Sequence, residues 1–253
     1  MTRTRAVFWA RIGVITVCVA LVEILCRAGV IKNLVMIPPS AMATSMWHLL
    51  ASGAITDDIA RTFSTVGLAF ASAVTAGFCL GVLVHAIPRL RQAIDPLLAS
   101  YYSVPFFVFY PLLVALFGLS TLPLMVIGFL FALPAMMIAT LLGLDRVPPV
   151  LLKVARTHRL SRARTALLIV LPAALPSLMN GIKLALAYAF IGVIAGEFIL
   201  SGGGLGYSIA YAYESFENRT MYGLMLFVLL TAIVLNGALH MWETRLNRRR
   251  RGA

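Results

Sequence analysis

Long intervals without charge divide the chain. No Asp, Glu, Lys or Arg stands between Arg61 and Arg89, from Pro96 to Leu144, or from Thr220 to Trp242. A helix needs about 20 apolar residues to cross the hydrocarbon core of a bilayer. The first and last intervals predict one span each. The middle one predicts two, with Gly118-Leu119-Ser120-Thr121 and Pro123 turning the chain between them. A fifth span, about 178–200, is interrupted by Lys183 and Glu197, and a first, about 8–28, is weakened by Arg11 and Glu23. The expectation is an all-α integral membrane protein with six transmembrane helices, about 8–28, 60–87, 95–118, 121–143, 178–200 and 220–243, in one domain over 1–253. Barrel strands would alternate apolar and polar residues. Leu122 to Phe131 is apolar throughout, and in lipid only a helix satisfies the backbone of such a run.

Composition agrees. Of 253 residues 61% are hydrophobic and 12% charged, and the mean hydropathy is +0.95. A soluble domain is about a quarter charged, so this chain lacks the groups to cover a water-facing surface. Disorder would need low hydrophobicity. The net charge of +12 would suggest nucleic acid in a soluble protein. Here its distribution gives another reason. With the N-terminus cytoplasmic, the cytoplasmic segments hold sixteen of the 21 basic residues: Arg3, Arg5, Arg11, Arg89, Arg91, Arg146, Lys153, Arg156, Arg159, Arg162, Arg164, Arg245 and Arg248 to Arg251. That satisfies the positive-inside rule, puts both termini in the cytoplasm, and leaves no nucleic-acid partner to explain. The partner expected of every span is membrane lipid. No small-x-small cleavage site follows the first apolar run, so the first helix reads as retained rather than as a signal peptide.

The segments between spans carry further pattern. After Ile37-Pro38-Pro39, Ser40 can cap a helix and Gly53 can end it. Met42, Met46, Leu49 and Leu50 give that helix one apolar face, predicting a short amphipathic helix at the outer interface. The loop from Asp145 to about Ser177 holds six basic residues and an apolar set, Leu151, Leu152, Val154, Ala155 and Leu160. Pro148-Pro149 open it, and Pro172 and Pro176 are expected to close it. A helix of that kind lies along a surface, either the membrane or a partner protein. Ser201-Gly202-Gly203-Gly204-Leu205-Gly206-Tyr207 matches neither GxGxxG nor a P-loop, so no nucleotide site is expected and the glycines predict a tight turn.

Candidate chemistry is sparse. His48, His85, His158 and His240 are scattered, and Cys18, Cys26 and Cys79 lack metal-ligand or disulfide spacing. The sequence predicts no catalytic constellation, no metal site and no cofactor bound by this chain. Lys183 and Glu197 stand fourteen residues apart, roughly 21 Å along one helix, so they cannot pair there. Lys183 can snorkel. Glu197 either lines a pathway or anchors the glycine-rich loop. Tyr101, Tyr102 and Ser103, with Pro105 and Pro111, break the third span, as happens where a helix lines a cavity. The translocation-pathway candidates are therefore Tyr101, Tyr102, Ser103 and Glu197.

One further pattern runs through the long loop. Lys153-Val154-Ala155-Arg156-Thr157 is followed by Ser161-Arg162-Ala163-Arg164-Thr165, then Leu171-Pro172-Ala173-Ala174-Leu175-Pro176 and Gly181-Ile182-Lys183-Leu184. This resembles the EAA loop of permease subunits of binding-protein-dependent ABC importers. Ile37-Pro38-Pro39-Ser40, Asp95-Pro96-Leu97, Phe117-Gly118 and Ala195-Gly196-Glu197 through Tyr207 extend the resemblance, towards the branch for nitrate, sulfonates, taurine and vitamin precursors such as thiamine pyrimidines. The resemblance implies a six-helix permease fold in a bacterial inner membrane, with a cytoplasmic coupling helix and no enzymatic activity. Its implied partners are a second permease copy, a dimer of ATPase subunits that binds ATP and Mg, and an extracytoplasmic substrate-binding protein. The coupling residues it implies are Lys153, Val154, Ala155, Arg156, Thr157, His158, Arg159 and Leu160. The family pattern has Glu at the position of Lys153 and Gly at that of Arg159. Arg159 should therefore either bend the loop differently or hold a strained backbone. A stand-alone secondary transporter or channel is the alternative, and no internal repeat supports it.

Overall fold

The computed structural model describes residues 2–251, without the side chains of residues 2–6, Phe8, Arg11, Leu200 and 245–251. Arg3, Arg5, Arg11, Arg245 and Arg248 to Arg251, counted above for orientation, thus have side chains outside the described set. All regular structure among the described residues is helical. In order come α1 (Thr2–Arg27), α2 (Pro39–Ala51), α3 (Thr56–Ala86), α4 (Pro88–Ser100), α5 (Tyr110–Phe117), α6 (Thr121–Asp145), α7 (Pro149–Thr157), α8 (Arg162–Thr165), α9 (Leu171–Leu200), α10 (Leu205–Glu214) and α11 (Asn218–Arg251).

Among the described residues, four helices are long and apolar enough to cross a membrane: α3, α6, the continuous run through α8 and α9, and α11 up to Thr244. The protein is a multi-pass membrane protein. A fifth crossing is available if α4 and α5 count as one broken span. They meet at 84°, through 3₁₀ turns at Tyr101–Ser103 and Phe106–Phe109. Pro105 and Pro111 remove backbone donors at this break, as the sequence suggested, but the consequence is a sharp corner rather than a kinked rod. The first predicted span is helical in α1, from Thr2 to Arg27.

The core is the packing of α3, α6 and α9. Ala69, Ala73, Ala132, Ala185, Ala189 and Val193 are fully buried there. Lipid offers no hydrophobic drive between helices, so association depends on close backbone approach by small residues. The α6–α9 crossing shows this: a Cβ on Gly192 would lie 3.0 Å from Gly128 Cα.

Two boundaries differ from expectation. Pro172 and Pro176 do not close the long loop; α8, a π turn at Ala166–Val170 and α9 form one helix through both. The π turn accounts for this. The Leu171 N–H reaches back five residues to Ala166 C=O, and this wider turn takes up the register change just before Pro172. The non-helical connection is consequently short, and Ser161 caps the new helix by accepting from the Arg164 N–H at 3.3 Å. Nor does Ser40 cap α2. Glu23 on α1 does, accepting from the Ser40 N–H at 3.0 Å and its hydroxyl at 2.7 Å, while Arg27 pairs with Glu23 at 2.6 Å. A full carboxylate suits a helix N-terminus better than a hydroxyl. The predicted turn before α6 is present: Gly118 has φ +71°, and Ser120 accepts from the Leu122 N–H at 3.3 Å.

Candidate functional site

The two ends of α9 carry the chemistry. At one end lies the connection from α6. Asp145, the last residue of α6, takes a bidentate pair from Arg91 of α4 at 2.7 Å for both bonds, and His85 Nδ1 of α3 stands 3.2 Å away. Three helices are thus clamped where the chain leaves the bundle for α7. Bidentate guanidinium–carboxylate pairs fix orientation as well as distance.

α7 starts on Pro149, a favoured first helical residue. Ala155 is buried and Leu160 half-buried, and these two face the bundle. Lys153, Val154, Arg156, Thr157, His158 and Arg159 are exposed, as are Val150 and Leu151 at 65% and 38%. Basic and apolar side chains therefore share an outward surface. The helix ends in a Schellman motif: the Leu160 N–H donates to Ala155 C=O and the Arg159 N–H to Arg156 C=O, both at 3.0 Å. This motif needs a left-handed residue after the cap, and Arg159 fills that place at φ +49°. Of the two readings left by the sequence, the strained backbone is the one observed. Replacing Arg159 by Gly should relieve about 1 kcal/mol of strain. Thermal unfolding of the purified chain in detergent should show a small rise in midpoint, and a fall would contradict it.

At the opposite end, Glu197 is fully buried. Both its oxygens accept from the Thr62 hydroxyl at 2.9 Å, and Oε2 also accepts from the Gly206 N–H at 3.0 Å. Thr62 Oγ1 accepts in turn from the Leu205 N–H at 2.9 Å. Asp58 takes the Gly204 N–H at 2.9 Å and the Ser208 hydroxyl at 2.5 Å. Three successive N–H groups at the start of α10 are thereby satisfied by α3 and α9, which is the need of any helix N-terminus. The glycines are required by proximity. A Cβ on Gly204 would run into the Glu197 carboxyl, one on Gly206 into Ile194 C=O, and one on Gly203 would lie 2.7 Å from Arg61 Nη1. Glu197 has the geometry of an anchor for the glycine-rich loop.

The remaining sequence candidates separate. Tyr101 donates to Leu130 C=O at 3.0 Å and packs on Phe106. Tyr102 is 43% exposed and stacks on Tyr188 at 5.1 Å between ring centres, beside a cavity of about 300 Å³. Ser103 is exposed. Lys183 does not reach for an interface alone; it pairs with Glu243 of α11 at 2.5 Å. Sequence reasoning missed Asp58, Arg61 and Thr62. Their spacing of three and four residues at the start of an apolar span puts them on one helix face, which was the available signal. Among the described residues no group of three or more His, Cys, Asp and Glu could hold a metal ion.

This architecture is that of a multi-pass membrane protein. Residues 73–252 match the family model of the binding-protein-dependent transport system inner membrane component, and the chain belongs to that family. It is 30% identical over 178 residues to the nitrate import permease protein NrtB of Leptolyngbya laminosa, covering 70% of this chain and 64% of that one. It is 25% identical to the taurine transport system permease protein TauC of Escherichia coli, over 83% and 73% of the two chains. Among solved structures, inward-facing MetNI, a methionine ABC transporter, superposes with a TM-score of 0.63 at 18% identity, over 76% of this chain and 95% of that one. That likeness supports the fold.

Proposed function

We propose that the chain is the membrane subunit of an ATP-driven importer, and that two copies enclose a pathway for a small solute. In this reading α7 docks on a separate ATPase subunit, which binds ATP and Mg. An extracytoplasmic binding protein delivers the solute to the end that carries Glu197 and the glycine-rich loop. Both termini and α7 then lie in the cytoplasm of a bacterial inner membrane, with the basic residues on the side the positive-inside rule requires. The observation that carries the reading is α7 itself. A membrane bundle has no internal use for a helix that exposes Val150, Leu151 and Val154 beside Lys153 and Arg156. Such a surface suits an apolar groove with an acidic rim on a partner.

The chain, tagged and purified from its own organism in mild detergent, should bring an ATPase subunit with it. In proteoliposomes ATP hydrolysis should rise when the binding protein and its solute are added. Purification of the chain alone, with flux that ignores ATP, would overturn the reading.

A further inference from the structure

The end of the bundle that carries Glu197 holds a second strained residue, which the grip on the glycine-rich loop does not use. α10 finishes, as α7 does, in a Schellman motif: the Glu217 N–H donates to Ala212 C=O at 2.8 Å and the Phe216 N–H to Tyr213 C=O at 3.2 Å. Phe216 takes the left-handed place at φ +58°, where glycine is the ordinary choice. A bulky aromatic residue is costly in that conformation. The ring returns little to the fold, since Phe216 is 79% exposed. Backbone strain and apolar exposure thus fall on one side chain.

The surface around this ring is built. The connection from α1 to α2 is pinned to the α10–α11 turn. The Asn218 amide donates to Leu34 C=O at 2.8 Å and to Asn33 C=O at 3.2 Å, and the Tyr222 hydroxyl donates to Val35 C=O. Between the two segments lies a cavity of about 620 Å³, with Asn33, Ile37, Pro38 and Ala41 on one wall and residues 216–220 on the other. Leu34 and Val35, next in the chain to Asn33, are exposed as well. An aromatic anchor beside a preformed recess with a polar rim is the anatomy of a protein-docking hot spot. Lipid tails do not suit a wall that includes Glu217 and Arg219. Anionic headgroups do not suit it either, because Glu214 and Glu217, both exposed, flank Phe216 in the chain. Two copies that enclose a membrane pathway meet along their spans, whereas this ridge stands on the connections beyond them.

We propose that Phe216 is the anchor on which the extracytoplasmic binding protein docks. Its ring enters an apolar depression on that protein, and lysine or arginine at the rim of the depression meets Glu214 and Glu217. The proposal rests on the transport reading and deepens it, by giving one partner a place and a chemistry. The position also suits transmission. Phe216 closes the last turn of α10, and the first turn of the same helix is held by Glu197 and Asp58. A pull at the ridge reaches that grip through a single helix of ten residues.

The test begins in intact cells. The photo-crosslinker p-benzoylphenylalanine, placed at position 216, should join the chain to a solute-binding protein, identified by mass spectrometry. Crosslinks to a second copy, adducts with lipid alone, or no crosslink overturn the proposal. That binding protein, purified with its solute, is then titrated against the permease–ATPase complex in nanodiscs. Its Kd should rise about tenfold or more in Phe216→Ala and in Phe216→Gly, and stay within about twofold in Phe216→Trp. Phe216→Gly separates docking from folding. It removes the ring but favours the left-handed turn, so its thermal midpoint should rise while docking falls. A lowered midpoint in Phe216→Gly would make the residue structural and overturn the proposal. So would an equal loss of docking in Leu119→Ala, the exposed apolar residue of the α5–α6 turn. Failure of the ATPase to co-purify with the wild-type chain is a separate result; it removes the transport reading, whatever position 216 touches.

Discussion

Replacing Glu197 by Ala should cost the protein about 3 kcal/mol or more, enough to remove most of it from the membrane. The magnitude follows from what the carboxylate holds. It accepts from Thr62 and from the Gly206 N–H in a fully buried position, and each buried donor left without a partner costs about 1–3 kcal/mol. Arg61, whose Nε is buried without a hydrogen-bond partner, would also lose its nearby countercharge. Glu197→Gln keeps the shape and one acceptor oxygen, so it should fall between wild type and Ala. Membrane yield and the thermal midpoint in detergent measure both. A Glu197→Ala chain that is as stable as wild type but transports poorly would show that the residue serves the pathway rather than the loop.

Reversing the charge of Lys153 should lower recovery of the ATPase with the tagged chain at least tenfold. Lys153 is exposed on α7 between Leu152 and Val154, with Arg156 and Arg159 on the following turn, so Glu there would put a negative charge among the groups proposed to meet an acidic rim. Like charges facing each other across an interface cost several kcal/mol. An acid-to-base exchange on the ATPase groove should restore recovery with Lys153→Glu and not with wild type. Unchanged complex yield and transport in Lys153→Glu would end the proposal that Lys153 meets an acidic groove.

Much of this was legible before the structure because a bilayer enforces a simple rule: apolar runs must be helical and must be long. The turn at Gly118 to Thr121 and the helix after Pro149 could be read from local chemistry, and the left-handed demand at Arg159 from the resemblance, whose pattern has Gly there. Pro172 and Pro176 misled, because a π turn can absorb a missing donor and nothing in the sequence announces one. The anchor at Glu197 was half legible. A carboxylate beside a glycine run is visible, but Thr62, which bonds it, and Asp58, which holds the same loop at Gly204, lie more than 130 residues away in sequence. Arg91 with Asp145, and Lys183 with Glu243, were hidden for the same reason.

The uninterrupted helix from Arg162 to Ile199 has a mechanical consequence. Thirty-eight residues make a rod of about 57 Å. It begins three residues after Arg159 and ends two residues past Glu197, which grips the first turn of α10. The two faces of the membrane are therefore joined by one stiff member and cannot be set independently. Its compliant point is the π turn at Ala166–Val170, close to the α7 end. A push from α7 is either absorbed there or delivered almost whole to the far loop, so the stiffness of five residues sets the gain of the stroke.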